Sequence, residues 1–440
     1  MRKIRSILTI GVLSFLLPYV LTAQEELLLH RAQKAVTTVI VHDIFSPPVA
    51  SRIYLYTAVA AYEAAKAGDP SSPSFGEVCK DFHLPFDPPE KSQIDSRYSS
   101  IYALLFTSSR FVFSDSAMKD SLHAILSSYR ITPDIKKVSI EWARKVSDSV
   151  MSWAAKDNYG ATRKMKRYSL IKDPSAWIPT PPGYFAAVEP HWGKLRPVVI
   201  KSIDEYRPAS PMKFSTTKDS PFYQQALEVY EFSKKMSVGD SAVASFWDCN
   251  PFYLNTQGHL NFATKKLSPG GHWMSIAGVA CMKAKASFNV SLKAYLFTAV
   301  ALYDGFISCW DEKYRSNTIR PESFINAYID ESWRPLLQTP PFPEYTSGHS
   351  VISAAAASVL SALFGNDFSF ADDTEIGYGL PVRHFKSFYE AADEAAVSRF
   401  YGGIHYKEAI TNGTLQGKKI GDAVVTQLVR PLHIGCTSGK

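Results

Sequence analysis

A chain of 440 residues, 46% of them hydrophobic and 20% charged, can bury a large core without help from disulfides. It holds no long polar low-complexity tract, which excludes a disordered protein. The formal charge of +7 falls to +4 without Arg2, Lys3 and Arg5 (45 basic against 41 acidic residues), and scattered cations give no support to nucleic-acid binding.

The chain opens on those three cations, followed by the apolar run Ile7 to Leu21 and by Thr22-Ala23-Gln24. Pro18 breaks the run, which is short for a membrane span. Residues 1–23 therefore read as an export signal, with an uncleaved anchor as the alternative. No cysteine stands near the expected cut, which argues against a lipoprotein. No later stretch reads as apolar enough to cross a bilayer. The expectation is a periplasmic or secreted protein without stable membrane insertion once the signal is removed.

Helical periodicity then dominates, in an N-terminal region over residues 24–238 and a C-terminal region over 239–440. Ser46-Pro-Pro48 leads into a helix over Ala50 to Ala67 that stops near Gly68-Asp69-Pro70. Ile135 to Lys156 and Pro221 to Met236 carry apolar residues three and four apart. Between these two lies a stretch, 168–211, dense in proline and aromatics. Proline there stops helices, and the aromatics need a surface, so an ordered loop wrapping over a bundle is expected. Helices resume over Ser241 to Phe246, Trp273 to Lys285, Ser291 to about Lys313, Ser350 to Phe364, Lys386 to Phe400 and Gly413 to Leu428. With no run of alternating strands and no short repeat, the fold class is all-α, built of helical bundles.

Five cysteines, Cys79, Cys249, Cys281, Cys309 and Cys436, are widely spaced and form no C-x-x-C pair. That is neither a disulfide framework nor a zinc-site spacing, although one disulfide could form in an oxidising compartment.

Three clusters near helix ends carry the chemistry. In Lys313-Tyr-Arg-Ser-Asn-Thr-Ile-Arg320-Pro321, the proline pushes Arg320 out of helical geometry. A solvated helix end is the plain alternative. In Tyr345-Thr-Ser-Gly-His-Ser350, a helix N-terminus offers free amides to an anion, Ser347 adds a hydroxyl, and Gly348 lets its amide come close. An ordinary N-cap would use the same residues. In Ser398-Arg-Phe-Tyr-Gly-Gly-Ile-His405, glycines end a helix and return the chain, bringing Arg399 and His405 to one region. Together these supply three cations, two donors and two histidines. Reaction at a tetrahedral oxyanion needs that set: cations for the equatorial charge, one imidazole in line and another opposite to move a proton. Arginine suits such oxygens through forked donors, and lysine through a point charge.

The order K-x6-R-P, S-G-H, S-R-x5-H resembles the signature shared by vanadium-dependent haloperoxidases and type 2 phosphatidic acid phosphatases. Ser245-Phe-Trp-Asp, Gly271-His-Trp, the run Tyr303 to Lys313 and Pro341-Phe-Pro-Glu-Tyr345 are similar to segments of the haloperoxidase-like bacterial branch. More distantly, so are Trp177-Ile-Pro-Thr-Pro-Pro and Ser46-Pro-Pro-Val-Ala-Ser51. The resemblance implies His405 as the apical vanadium ligand, or as the nucleophile forming a phosphohistidine in an acid phosphatase. It implies His349 as acid/base, and Lys313, Arg320, Arg399, Ser347 and the Gly348 amide on the equatorial oxygens. Trp310 and Phe342 match aromatic positions on the halide side in fungal chloroperoxidases. Thr346 departs from the proline usual before Ser-Gly-His.

Two activities fit this pocket. One is a haloperoxidase with vanadate as cofactor, taking peroxide and halide. The other is a vanadate-free phosphatase acting on phosphate monoesters. A non-catalytic phosphate- or vanadate-binding protein needs neither histidine. A serine hydrolase at Ser347 lacks the G-x-S-x-G elbow. Asp248, Asp304 and Asp311 are the candidates to orient His349.

Overall fold

The computed structural model describes residues 26–69, 72–257, 260–263 and 266–433. The proposed export signal and Cys436 lie outside them. Helices of eight residues or more are numbered α1 to α13.

Serine followed by proline starts many of these helices. Ser46, Ser220 and Ser268 stand at N-caps with Pro47, Pro221 and Pro269 in the first turn, where a missing amide costs nothing. The N-terminal part comprises α1 (26–42), α2 (Pro47–Ala65), α3 (Ser96–Ser109), α4 (Asp115–Leu126) and α5 (Pro133–Ala154). After the wrapping loop come α6 (Pro221–Lys235), α7 (Val238–Phe246), α8 (Pro269–Ala284) and α9 (Phe288–Ser316). The last four are α10 (Pro321–Tyr328), α11 (Gly348–Phe364), α12 (Phe388–Tyr401) and α13 (Lys407–Val424).

The all-α expectation holds, with two small additions. Leu254–Gln257 (β1) pairs antiparallel with Leu260–Ala263 (β2), and Phe370–Asp372 (β3) with Arg383–Phe385 (β4). Hairpins this short leave no alternating run in the sequence.

Helix α9 is the axis of the molecule. It packs on α2, α8, α11 and α13, so one continuous apolar core runs from Leu28 to Leu432. The expectation that no later stretch could cross a bilayer is corrected here. By length and composition α9 is sufficient, yet 94% of its apolar window is buried inside the bundle. Its hydrophobicity serves the core.

Three interactions fasten the wrapping loop to this axis. Buried Asp304 of α9 accepts from the amides of Val198, Val199 and Ile200 at 2.8, 2.8 and 3.2 Å. Trp310 and Tyr314 both donate to the Val188 carbonyl. Asn317 ends α9 in the left-handed conformation (φ 48°), and its carbonyl accepts from the Trp177 amide at 2.9 Å. Trp177 and Trp192 from the loop are wholly buried, as the aromatic density predicts.

The approach of α11 to α13 sets the site. Gly413, Gly417 and Gly421 recur at four-residue intervals on α13, where a β-carbon at Gly417 would fall 2.0 Å from the Val351 carbonyl oxygen. Only hydrogen fits. Cys79, Cys249, Cys281 and Cys309 are free, buried thiols, so no disulfide forms among the described cysteines.

Candidate active site

All seven residues singled out for the oxyanion converge at the adjoining ends of α9, α11 and α12. Ser347 caps α11, its Oγ accepting from the Ser350 amide at 3.4 Å, so the capping role is real. Its hydroxyl proton stays available, and both readings of Ser347 are compatible. Gly348 opens the helix beside Trp310, where an added methyl would sit 3.5 Å from the indole and take up cavity space. Arg320 is extended before Pro321 (φ −76°, ψ 152°), as expected. Gly403 turns the chain through φ 75°, carrying it from α12 to His405.

A small cavity opens here, lined by Trp310, Phe342, Gly348, His349, Arg399 and His405 among others. Lys313, Arg320 and Ser347 are completely buried immediately behind that wall. The Lys313 ammonium donates to the carbonyls of Pro343, Glu344 and Thr346 at 3.0, 3.0 and 2.5 Å. Thr346 thus contributes backbone to the site, while its hydroxyl donates to Gln416 at 2.7 Å. The Phe342 ring stands 5.1 Å from both Lys313 Nζ and the Arg320 guanidinium, and 4.9 Å from the Trp310 ring. These aromatics form the cavity's apolar side and shield the cations from water.

The protonation of His405 follows from its neighbours. Its Nδ1 lies 2.7 Å from Glu344 Oε1, and its Nε2 lies 3.1 Å from Arg320 Nη1. A carboxylate only accepts and a guanidinium only donates. One neutral tautomer satisfies both, with the proton on Nδ1 and a lone pair on Nε2. Burial, reinforced by Arg320, Lys313, Arg399 and His349, holds this imidazole well below its ordinary pKa. That lone pair, which here accepts from Arg320, is what a metal ligand requires.

His349 is held differently. The Trp247 backbone favours its charged form, against the larger effect of burial, and its Nε2 has no partner. Burial, with Arg399 nearby, keeps it neutral. None of the three carboxylates named as candidates to orient it is hydrogen-bonded to it. Asp304 is engaged with the wrapping loop, Asp311 pairs with Arg315, and Asp248 pairs with Lys266 and attracts Arg399.

Electrostatics make the cavity anion-seeking. Burial, with Arg320 beside it, pulls Lys313 down to about 7, and burial pulls Arg320 to about 10. Arg399 is lowered by burial as well. Burial lifts Glu344 to about 7 against the pull of Arg320 and Lys313. Arg320 Nη2 is buried without a partner. Buried cations and donors left unsatisfied cost free energy, which an oxyanion between them would recover. The donor set, the neutral Nε2 of His405 and the space at Gly348 all fit vanadate.

Sequence reasoning missed Glu344, which was discoverable as the one carboxylate in Pro341-Phe-Pro-Glu-Tyr345.

A family model described as the VCPO second helical-bundle domain matches residues 293–433, which contain all three motifs. Among solved structures, a bacterial vanadium-dependent iodoperoxidase is similar at 44% identity and a TM-score of 0.85, over 92% of this chain and 96% of that one. The holo and apo forms of a bacterial vanadium-dependent chloroperoxidase align at 15% identity with TM-scores of 0.68 and 0.66. They cover 89% and 88% of this chain and 94% and 95% of theirs, and at that identity they show a shared fold. No curated protein sequence matches.

Proposed function

This chain belongs to the vanadium-dependent haloperoxidases, and from that premise we propose that it oxidises iodide with peroxide, using vanadate held on His405. The observation that carries this reading is the neutral His405 fixed by Glu344, with Nε2 directed at a buried cluster of Arg320, Lys313 and Arg399.

Vanadate bound there would supply a Lewis acid that activates peroxide toward two-electron oxidation of a halide. Lys313, Arg320 and Arg399 would hold its negative charge, with the Ser347 hydroxyl and the Gly348 amide as further donors. His349 is neutral with a vacant Nε2, so it can take a proton from an incoming peroxide and return one to the departing oxygen. Trp310 and Phe342 keep bulk water from the cations and form the face a halide approaches.

Iodide is favoured on two grounds. The relative at 44% identity is an iodoperoxidase. The cavity lining also includes Phe252, Phe306, Trp310, Phe342 and Ile404, and such apolar surface suits a large, weakly hydrated anion over a strongly hydrated one. We propose further that residues 1–23 direct export to the periplasm or medium, and that the processed enzyme is not membrane-inserted. N-terminal sequencing of the mature protein should begin near Gln24.

The test is to assay purified protein, with and without added vanadate, against iodide, bromide and chloride. Vanadate-dependent oxidation of iodide, with little of chloride, is expected. Equal chloride oxidation would refute the halide assignment, and the absence of vanadate-dependent oxidation of any halide would refute the reaction.

A further inference from the structure

Beside the catalytic cavity lies a second buried group of chemically active side chains, none of which serves the oxyanion. Cys249 follows the Trp247–Asp248 turn, His272 is in the first turn of α8, and Glu375 stands just past β3. His272 Nδ1 is 3.5 Å from Cys249 Sγ and 3.3 Å from Glu375 Oε1, and that oxygen is 3.9 Å from the sulfur. We propose that Cys249, His272 and Glu375 bind a divalent metal ion, zinc by preference, as a staple in the cavity wall.

The spacing supports this directly. Tetrahedral zinc, with bonds of about 2.3 Å to sulfur and about 2.0–2.1 Å to nitrogen or oxygen, needs donors roughly 3.3–3.6 Å apart. The three observed separations meet that need with a shift of a few tenths of an ångström in one of them. The donor types are also those zinc selects: one thiolate, one imidazole and one carboxylate.

The surroundings match as well. His272 Nε2 is 2.8 Å from Asp372 Oδ2, so the nitrogen facing away from the site has a carboxylate partner. Metal-binding imidazoles characteristically carry such a partner, which fixes the ring and strengthens the other nitrogen as a ligand. Thr374 Oγ1 bonds Asp372 Oδ1 at 2.6 Å, holding that carboxylate in turn. His272 and Asp372 are wholly buried, and Cys249 and Glu375 nearly so. Cys249 also lines the main cavity, which gives an ion its route in. Binding would displace the thiol proton and any proton on His272 Nδ1, and it leaves a fourth position for water.

Placement suggests the role. The Trp247 ring stacks on His272 with centroids 4.5 Å apart and planes 20° from parallel. An ion on Cys249 and His272 would hold the Trp247 ring against His272 and fix the 247–249 segment in the cavity wall.

Full-length protein free of vanadate should be stripped with a chelator, re-equilibrated with Zn²⁺, desalted and analysed for metal. One zinc per chain is expected. Co²⁺ in its place should give a thiolate-to-cobalt charge-transfer band that Cys249→Ser abolishes. Asp372→Asn should weaken Zn²⁺ by roughly 10–100-fold, the usual cost of losing such a partner. Circular dichroism of each variant separates loss of binding from loss of fold. No zinc above a metal-free control in folded wild type, or a cobalt band unchanged in Cys249→Ser, overturns the proposal. Halide oxidation plays no part in these readouts, so they stand or fall apart from the peroxidase reading.

Discussion

Glu344 is the residue on which the chemistry of His405 turns, and replacing it separates two forces that act in opposite directions. Its carboxylate accepts from His405 Nδ1 at 2.7 Å and from the Tyr406 amide at 3.0 Å. A hydrogen bond to a charged group contributes about 1.5–3 kcal/mol, so Glu344→Ala should weaken vanadate by roughly 10–100-fold at 1.4 kcal/mol per decade. Glu344→Gln keeps a neutral acceptor and should lose only about 1 kcal/mol, near fivefold. Removing the carboxylate also leaves Lys313 and Arg320 with less compensation, which favours any oxyanion. Phosphate feels only that second effect, because it needs no lone pair from His405. Vanadate affinity, read from the titration of halide oxidation, should therefore fall in Glu344→Ala, while the inhibition constant for phosphate holds or improves. Parallel weakening of both anions would refute the reasoning, since it would mean that Glu344 merely supports the fold.

Other consequences are as definite. Lys313 sits near 7 in the folded protein against an ordinary 10.5, so its charge is present below pH 7 and lost above it. Vanadate affinity should drop as pH rises through about 7, by up to tenfold per unit for one linked proton. Lys313→Met should bind weakly without that slope, and the comparison cancels the titration of vanadate itself; identical slopes would remove Lys313 from the account. His349→Ala should leave vanadate binding nearly intact and slow oxidation by roughly 10²–10⁴, whereas equal losses of binding and rate would contradict its acid/base role. Gly417→Ala puts a methyl 2.0 Å from the Val351 carbonyl oxygen and should cost at least about 1–3 kcal/mol, with a lower Tm and looser vanadate binding as the Ser347 turn shifts. An unchanged Tm would show that α13 can move away freely.

Much of this was legible in the sequence because the cations are extravagant where they stand. Lys313 ends an apolar helix, and Arg320 precedes a proline, as the structure has them. The Ser347 cap and the return at Gly402-Gly403 follow from local backbone chemistry, and so does the aromatic loop that needed a surface. What escaped depends on tertiary placement. The short hairpins β1–β2 and β3–β4 gain their stability from what they pack on. The Gly413-Gly417-Gly421 stripe has no visible partner until α11 is laid against it. Asp248, Asp304 and Asp311 are each engaged elsewhere, with Lys266, the wrapping loop and Arg315, and those partners appear only once the chain is folded. The apolar length of α9 reflects burial on all sides, which composition does not separate from a membrane span.

A crystal structure of the protein soaked with orthovanadate tests the central claim most directly. The account predicts one anomalous vanadium peak within bonding distance of His405 Nε2, surrounded by Lys313, Arg320, Arg399 and Ser347, with His349 on the opposite side. Vanadium bound elsewhere, or absent at saturating concentration while His405 keeps its bond to Glu344, would contradict it.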